Sequence, residues 1–162
     1  MSPDAELSQN PREPYAPLVS IITPTFQHER FIHSCLRSVL AQDYGRWELI
    51  VIDDASTDRT AQIVESYARR DSRIRLVQHQ TNYGTARLAD TYNEALAHCA
   101  GDLIAILEGD DEWRPKKLSA QVHAFQETQV ILCYGDYDQV TADGLFIARH
   151  GVHDAVGPAT SS

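Results

Sequence analysis

Five short apolar runs rich in β-branched residues recur along this chain at nearly even spacing, and that rhythm constrains the fold more than any other feature. The runs are VSIIT (19–23), ELIVID (48–53), IRLVQ (74–78), LIAIL (103–107) and VILCY (130–134), with centres 26 to 29 residues apart. A strand, a crossover helix and two loops need roughly 30 residues. No sequence repeat accompanies the spacing, so the period belongs to the architecture. Each run is continuously apolar, as expected when helices cover both faces of a sheet. The expectation is an α/β domain with a mainly parallel sheet flanked by helices.

The segments between the runs carry helical periodicity. FIHSCLRSVLAQ (31–42) places Phe31, Cys35, Leu36, Val39 and Leu40 on one face. TAQIVESYARR (60–70) follows Ser56, Thr57 and Asp58, any of which can cap its start. TARLADTYNEALAHCAG (85–101) ends at Gly101, a candidate C-terminal cap, and PKKLSAQVHAFQ (115–126) opens on Pro115, which suits a first helical turn. After Tyr134 two short alternating runs flank Ala142-Asp143-Gly144 and predict a C-terminal β-hairpin. Residues 1–17 read as a disordered leader, 18–150 as one domain and 151–162 as a flexible tail.

Composition removes several classes of function. A net charge of -9 leaves no basic stripe for a nucleic-acid backbone. No apolar run approaches the ~20 residues of a membrane span, which leaves only peripheral membrane contact. The cysteines, Cys35, Cys99 and Cys133, are far apart and read as reduced thiols of a cytoplasmic protein. The histidines show no zinc-binding spacing.

In an open parallel sheet, ligands bind beyond the carboxyl ends of the strands. The first run leads into Pro24-Thr25-Phe26-Gln27 and Glu29, and the second into Asp53-Asp54-Ala55-Ser56-Thr57-Asp58. The fourth ends in Glu108, Gly109, Asp110, Asp111 and Glu112. Such carboxylates repel one another by ~1 kcal/mol per pair at 4 Å in water, and several-fold more near a protein surface. No Gly-rich phosphate loop is present. Phosphate recognition through carboxylates then calls for Mn²⁺ or Mg²⁺, with Asp110 and Asp111 as hard oxygen ligands and a diphosphate supplying the rest. Gly109 allows close backbone approach or a sharp turn.

The stretch VSIITPTFQHERFIHSCLRSVLAQDYGRWELIVIDDASTDRT resembles the opening of family 2 glycosyltransferases, which have the Rossmann-like GT-A nucleotide-sugar fold. NYGTARLADTYNEALAHCAGDLIAILEGDDEWRPKKLSAQ resembles their continuation into the D-x-D region. The likeness runs from about Leu18 to Leu145. It implies that Thr23, Pro24, Thr25 and Phe26 line a nucleotide pocket to which Glu29 contributes. It implies that Asp54 hydrogen-bonds the base, most often uracil, with Asp53 in support. Asn82 and Gly84 belong to a loop over the nucleotide, and Asn93 matches a polar position in the following helix. Asp110 and Asp111 match the metal and ribose-diphosphate acids, and Trp113 and Pro115 match packing positions.

Two departures stand out. Glu108 replaces the first Asp of D-x-D, so metal binding rests more on Asp110 and Asp111 than on Glu108. The family's downstream catalytic base has no counterpart that can be assigned. Asp136, Asp138 and Asp143 lie too early, within the hairpin. The implied reaction is metal-dependent, inverting transfer of a sugar from a nucleoside-diphosphate donor to an acceptor hydroxyl on a glycan or lipid-linked acceptor. A donor-binding domain without transfer is the alternative. A nucleotidyltransferase would want a Gly- and Arg-rich loop after the first strand, and a receiver domain would place its acidic pair there. If further chain normally covers the sheet edge, a homo-oligomer can form through that edge.

Overall fold

The structure, a computed structural model, describes residues 15–127 and 129–151. The leader and tail expected from sequence fall almost wholly outside them. The elements are β1 (Val19–Thr25), α1 (Ile32–Leu40), β2 (Trp47–Asp53), α2 (Thr60–Ala68) and β3 (Ile74–Gln78). A 3-10 turn (Thr85–Arg87) then enters α3 (Leu88–Ala97), followed by β4 (Leu103–Ile106), α4 (Lys117–Ala124), β5 (Tyr137–Val140) and β6 (Phe146–His150). The chain divides into two compact units, the first running to Val122 and the second beginning at His123.

The first unit holds a fully parallel four-stranded sheet in the order β3-β2-β1-β4. Alternation along the strands sorts the side chains between its faces. Val19, Ile21, Leu49, Val51 and Ile74 meet Ile32, Cys35, Leu36 and Val39 of α1, Val64 of α2, and Leu118 and Val122 of α4. Each fully buried side chain of this kind contributes about 1.5–3 kcal/mol over an exposed one. The opposite face is thinner: Ile22, Ile50 and Ile52 pack with Ala95 of α3, flanked by Val77, Tyr92 and Cys99.

Local details depart from the sequence expectation for identifiable reasons. The apolar buried stripe of α1 is Ile32, Cys35, Leu36 and Val39, spaced i, i+3, i+4 and i+7, which leaves Phe31 partly buried and Leu40 exposed. Asp58 Oδ1 accepts the Thr60 N–H at 2.9 Å, so it is the residue that caps α2. Gly101 does not cap α3, which ends at Ala97. A Cβ there would sit 2.6 Å from the Ser20 backbone nitrogen and 2.7 Å from the Leu18 carbonyl oxygen, so the glycine permits a close crossing of β1. Pro115 lies in the turn before α4, and its carbonyl accepts the Asp43 N–H.

Coverage of both sheet faces holds for the inner strands and not for β4. Ile104 and Ile106 are 45% and 54% exposed, because α3 packs over β1 and β2.

The second unit contains the antiparallel β5–β6 hairpin, closed at Thr141 and Gly144, where Gly144 takes φ 80°. VILCY (130–134) is not a strand: Ile131 and Leu132 are 92% and 73% exposed. An apolar run becomes a strand only when a neighbour accepts its backbone hydrogen bonds. Here the Val130 N–H closes a turn onto Glu127 instead.

Candidate functional site

The chain leaves β1 toward β2 and β3 on one side and returns to β4 on the other. The carboxyl ends of β1 and β4 therefore flank a topological switch point, where open α/β sheets form their ligand crevice. Backbone pairing continues past the strands there, with the Gly109 N–H donating to Pro24 O at 3.1 Å. A Cβ on Gly109 would lie 2.5 Å from Thr25 Oγ1 and 2.7 Å from His28 Nδ1, so close approach explains this glycine. Thr25 Oγ1 and His28 Nδ1 are themselves hydrogen-bonded at 3.1 Å.

The loops after β1 and β2 interlock. The Gln27 N–H donates to Ser56 Oγ (2.9 Å), its Nε2 to Thr57 Oγ1 (2.8 Å), and its Oε1 accepts the Asp58 N–H (3.1 Å). Asp58 Oδ2 accepts the Glu29 N–H, and Glu29 Oε2 accepts the Arg59 N–H. Burial raises the Asp58 carboxyl, but hydrogen bonds from Thr60 and Glu29 outweigh it and hold the group below the usual range. Gln27 and Ala55 both adopt left-handed backbone, φ 56° and 60°. Thr23 and Asp53 are buried, and Phe26 lies exposed at the rim. Among the described residues Thr23 Oγ1 and Asp53 Oδ1 meet no hydrogen-bond partner, whereas Asp53 Oδ2 accepts from the Ser56 N–H.

Asp54 is gripped by the loop after β3. Its Oδ1 accepts the Tyr83 N–H (2.7 Å) and lies 2.7 Å from His79 Nδ1, and its Oδ2 accepts the Gly84 N–H (2.9 Å). Asn82 Nδ2 donates to the Asp54 carbonyl at 2.9 Å. Gly84 takes φ 61°, a conformation that costs glycine little. Burial raises the Asp54 carboxyl, but the Tyr83 N–H, His79 and the Gly84 N–H outweigh it and hold the group below the usual carboxylate range.

The acids after β4 divide into two kinds. Glu108 is half-buried and accepts a hydrogen bond from the Tyr92 hydroxyl of α3. Burial and Glu108 together push the Tyr92 phenol well above its usual range. Asp110 and Asp111 are exposed. Partial burial and the neighbouring Asp110 charge raise the Asp111 carboxyl, opposed by His28. Burial, reinforced by the four acids, lifts the Cys35 thiol to about 12, so this cysteine is inert at neutral pH. Trp113 packs against the main core, its backbone N–H donates to Ser38 Oγ, and Lys117 sits over its ring.

Residues 20–157 match the family model described as glycosyl transferase family 2. The chain belongs to this family. It is 37% identical over 134 residues to the Escherichia coli protein WfgD, a UDP-Glc:alpha-D-GlcNAc-diphosphoundecaprenol beta-1,3-glucosyltransferase, covering 81% of this chain and 51% of that one. Its fold superposes on S. aureus TarS 1-349 in complex with UDP (TM-score 0.61, 32% identity, 69% of this chain and 32% of that one). It also superposes on the mannosyltransferase PcManGT from Pyrobaculum calidifontis in complex with GDP-Man and Mn²⁺ (TM-score 0.61, 27% identity, 78% of this chain and 36% of that one). The architecture is thus GT-A. The chain spans about half the length of the curated relatives it matches.

Sequence reading of this family 2 chain overlooked the end of β3. His79 follows that strand directly, in the place that Asp54 occupies after β2, and its position on the carboxyl edge is the signal that could have marked it. Tyr92, and Glu94 whose Oε2 lies 3.0 Å from His79 Nε2, had no such signal, because their contacts depend on where α3 lies.

Proposed function

We propose that this chain forms the donor half of a metal-dependent, inverting glycosyltransferase that uses a nucleoside-diphosphate sugar in glycan or polysaccharide assembly. One observation carries the reading: an ordered acid at the end of β2 and a pair of exposed acids after β4 occupy the same carboxyl edge, beside the switch point, with no Gly-rich phosphate loop. Asp54 would recognise the base, Thr23 to Phe26 would line the pocket floor and rim, and Asn82 and Gly84 would hold the covering loop. The UDP complex of TarS and the GDP-Man complex of PcManGT support a diphosphate donor without choosing the base.

Asp110 and Asp111 fit a hard divalent cation. They are adjacent, exposed carboxylates on the carboxyl edge after β4. The diphosphate of the donor would supply further oxygen ligands to such an ion. Mn²⁺ or Mg²⁺ held there would neutralise charge growing on the diphosphate leaving group. Glu108 is engaged by Tyr92 and contributes less.

The test is calorimetric titration with UDP, GDP, dTDP and CDP, each with and without Mn²⁺. One nucleotide should bind with manganese dependence. Asp110→Asn and Asp111→Asn should each cost about tenfold or more of that increment, as expected for loss of a charged ligand, with melting unchanged. Unchanged manganese dependence in both variants would remove the metal assignment. A second reading, donor binding without transfer, draws on Asp138: Arg149 holds its carboxylate at 2.7 and 3.1 Å, so it does not stand free as a base. A transfer assay on the same sample separates the two readings.

A further inference from the structure

His79 occupies a more exacting position than a packed core histidine needs. Its backbone N–H donates to Asp53 O at 2.9 Å, which extends the β2–β3 ladder by one residue and points the ring across the edge of the sheet. The side chain is only 3% exposed. Nδ1 faces Asp54 Oδ1 at 2.7 Å and Nε2 faces Glu94 Oε2 of α3 at 3.0 Å. The ring stacks on Tyr83 at 3.9 Å and 27°, and Arg87 lies over the far face of this assembly, 3.7 Å from the Tyr83 centroid. Each ring nitrogen thus has a carboxylate oxygen within hydrogen-bond distance.

We infer that His79 is a positioning residue of the donor site: anchored by Glu94, it fixes the carboxylate of Asp54 and the 79–84 loop in the geometry that receives the nucleobase. The inference rests on the proposed contact between Asp54 and the base. His79 touches no part of the donor itself and acts through Asp54. Glu94 joins the device to α3, the helix whose Tyr92 holds Glu108, so one helix braces acids at both ends of the crevice.

The experiment is a double-mutant cycle on the whole chain, read as UDP affinity with and without Mn²⁺. Asp54→Asn weakens UDP binding. His79→Gln weakens it about tenfold, the loss typical of a hydrogen bond to a charged group, and equally in both metal conditions. In the Asp54→Asn background the same His79→Gln change has no further effect. Glu94→Gln, at a half-exposed position that tolerates substitution, weakens binding a few-fold in the wild-type background and not in Asp54→Asn. A purely structural histidine would lower the melting temperature and give losses that multiply in the double variant, which overturns the inference. Weakened binding in Asp54→Asn with full affinity in both His79→Gln and Glu94→Gln overturns it while leaving the donor site in place. Full affinity in Asp54→Asn overturns the base contact and the inference with it.

Discussion

Ala55 carries left-handed backbone at φ 60° in the turn where the Asp53 carbonyl accepts its N–H. That conformation costs an L residue about 1–2 kcal/mol. Glycine removes the steric cost and gives back about 0.5–1 kcal/mol through the unfolded chain. Ala55→Gly should therefore stabilise the protein by up to about 1 kcal/mol, read as a rise of about 2–4 °C in melting temperature. Gln27 has the same backbone sign, but its side chain bridges Thr57 and Asp58. Gln27→Gly should thus give no gain, and a gain equal to that of Ala55→Gly would show that the bridge contributes nothing. The left-handed turn at Ala55 was not readable from its residue type. It is imposed by the fit between two loops that are distant in sequence.

Among the elements, the β1–β4 pair shows how backbone contact constrains residue choice. Gly101 lies two residues before the start of β4 and against the backbone of Leu18 and Ser20. Backbone atoms cannot swing aside as a side-chain tip does. Gly101→Ala should cost about 1–3 kcal/mol by overpacking, measured as a lower urea midpoint at unchanged slope. A neutral result would mean that the crossing relaxes freely. The helices of the first unit were legible from their 3.6-residue period and its strands from continuously apolar, β-branched runs, both of which are local properties. VILCY misled for the same reason: its composition suits a strand, but composition does not supply a partner.

At the scale of the whole molecule, several carboxyls are held below their ordinary values: Glu48, Asp54, Asp58 and Asp71. A depressed folded-state value means that the ionised form stabilises the fold. That contribution is fully present above the unfolded value, near 4, and disappears as the pH falls through the lower folded values. Urea midpoints should therefore hold between pH 7 and 5 and drop steeply below about 4. Asp58→Asn should lower stability at pH 7 and flatten the acid limb; an unchanged limb would remove Asp58 from the account. The amino-acid sequence alone determined the order and type of the elements in the first unit, the family, and the concentration of acids at strand ends, because periodicity and chain order place those features. Tertiary structure alone decided the strand order β3-β2-β1-β4, the exposure of Ile104 and Ile106, and the meeting of Asp54, His79 and Glu94. Those outcomes depend on which strands become neighbours and where a helix crosses them, and neither is written in any local stretch of chain.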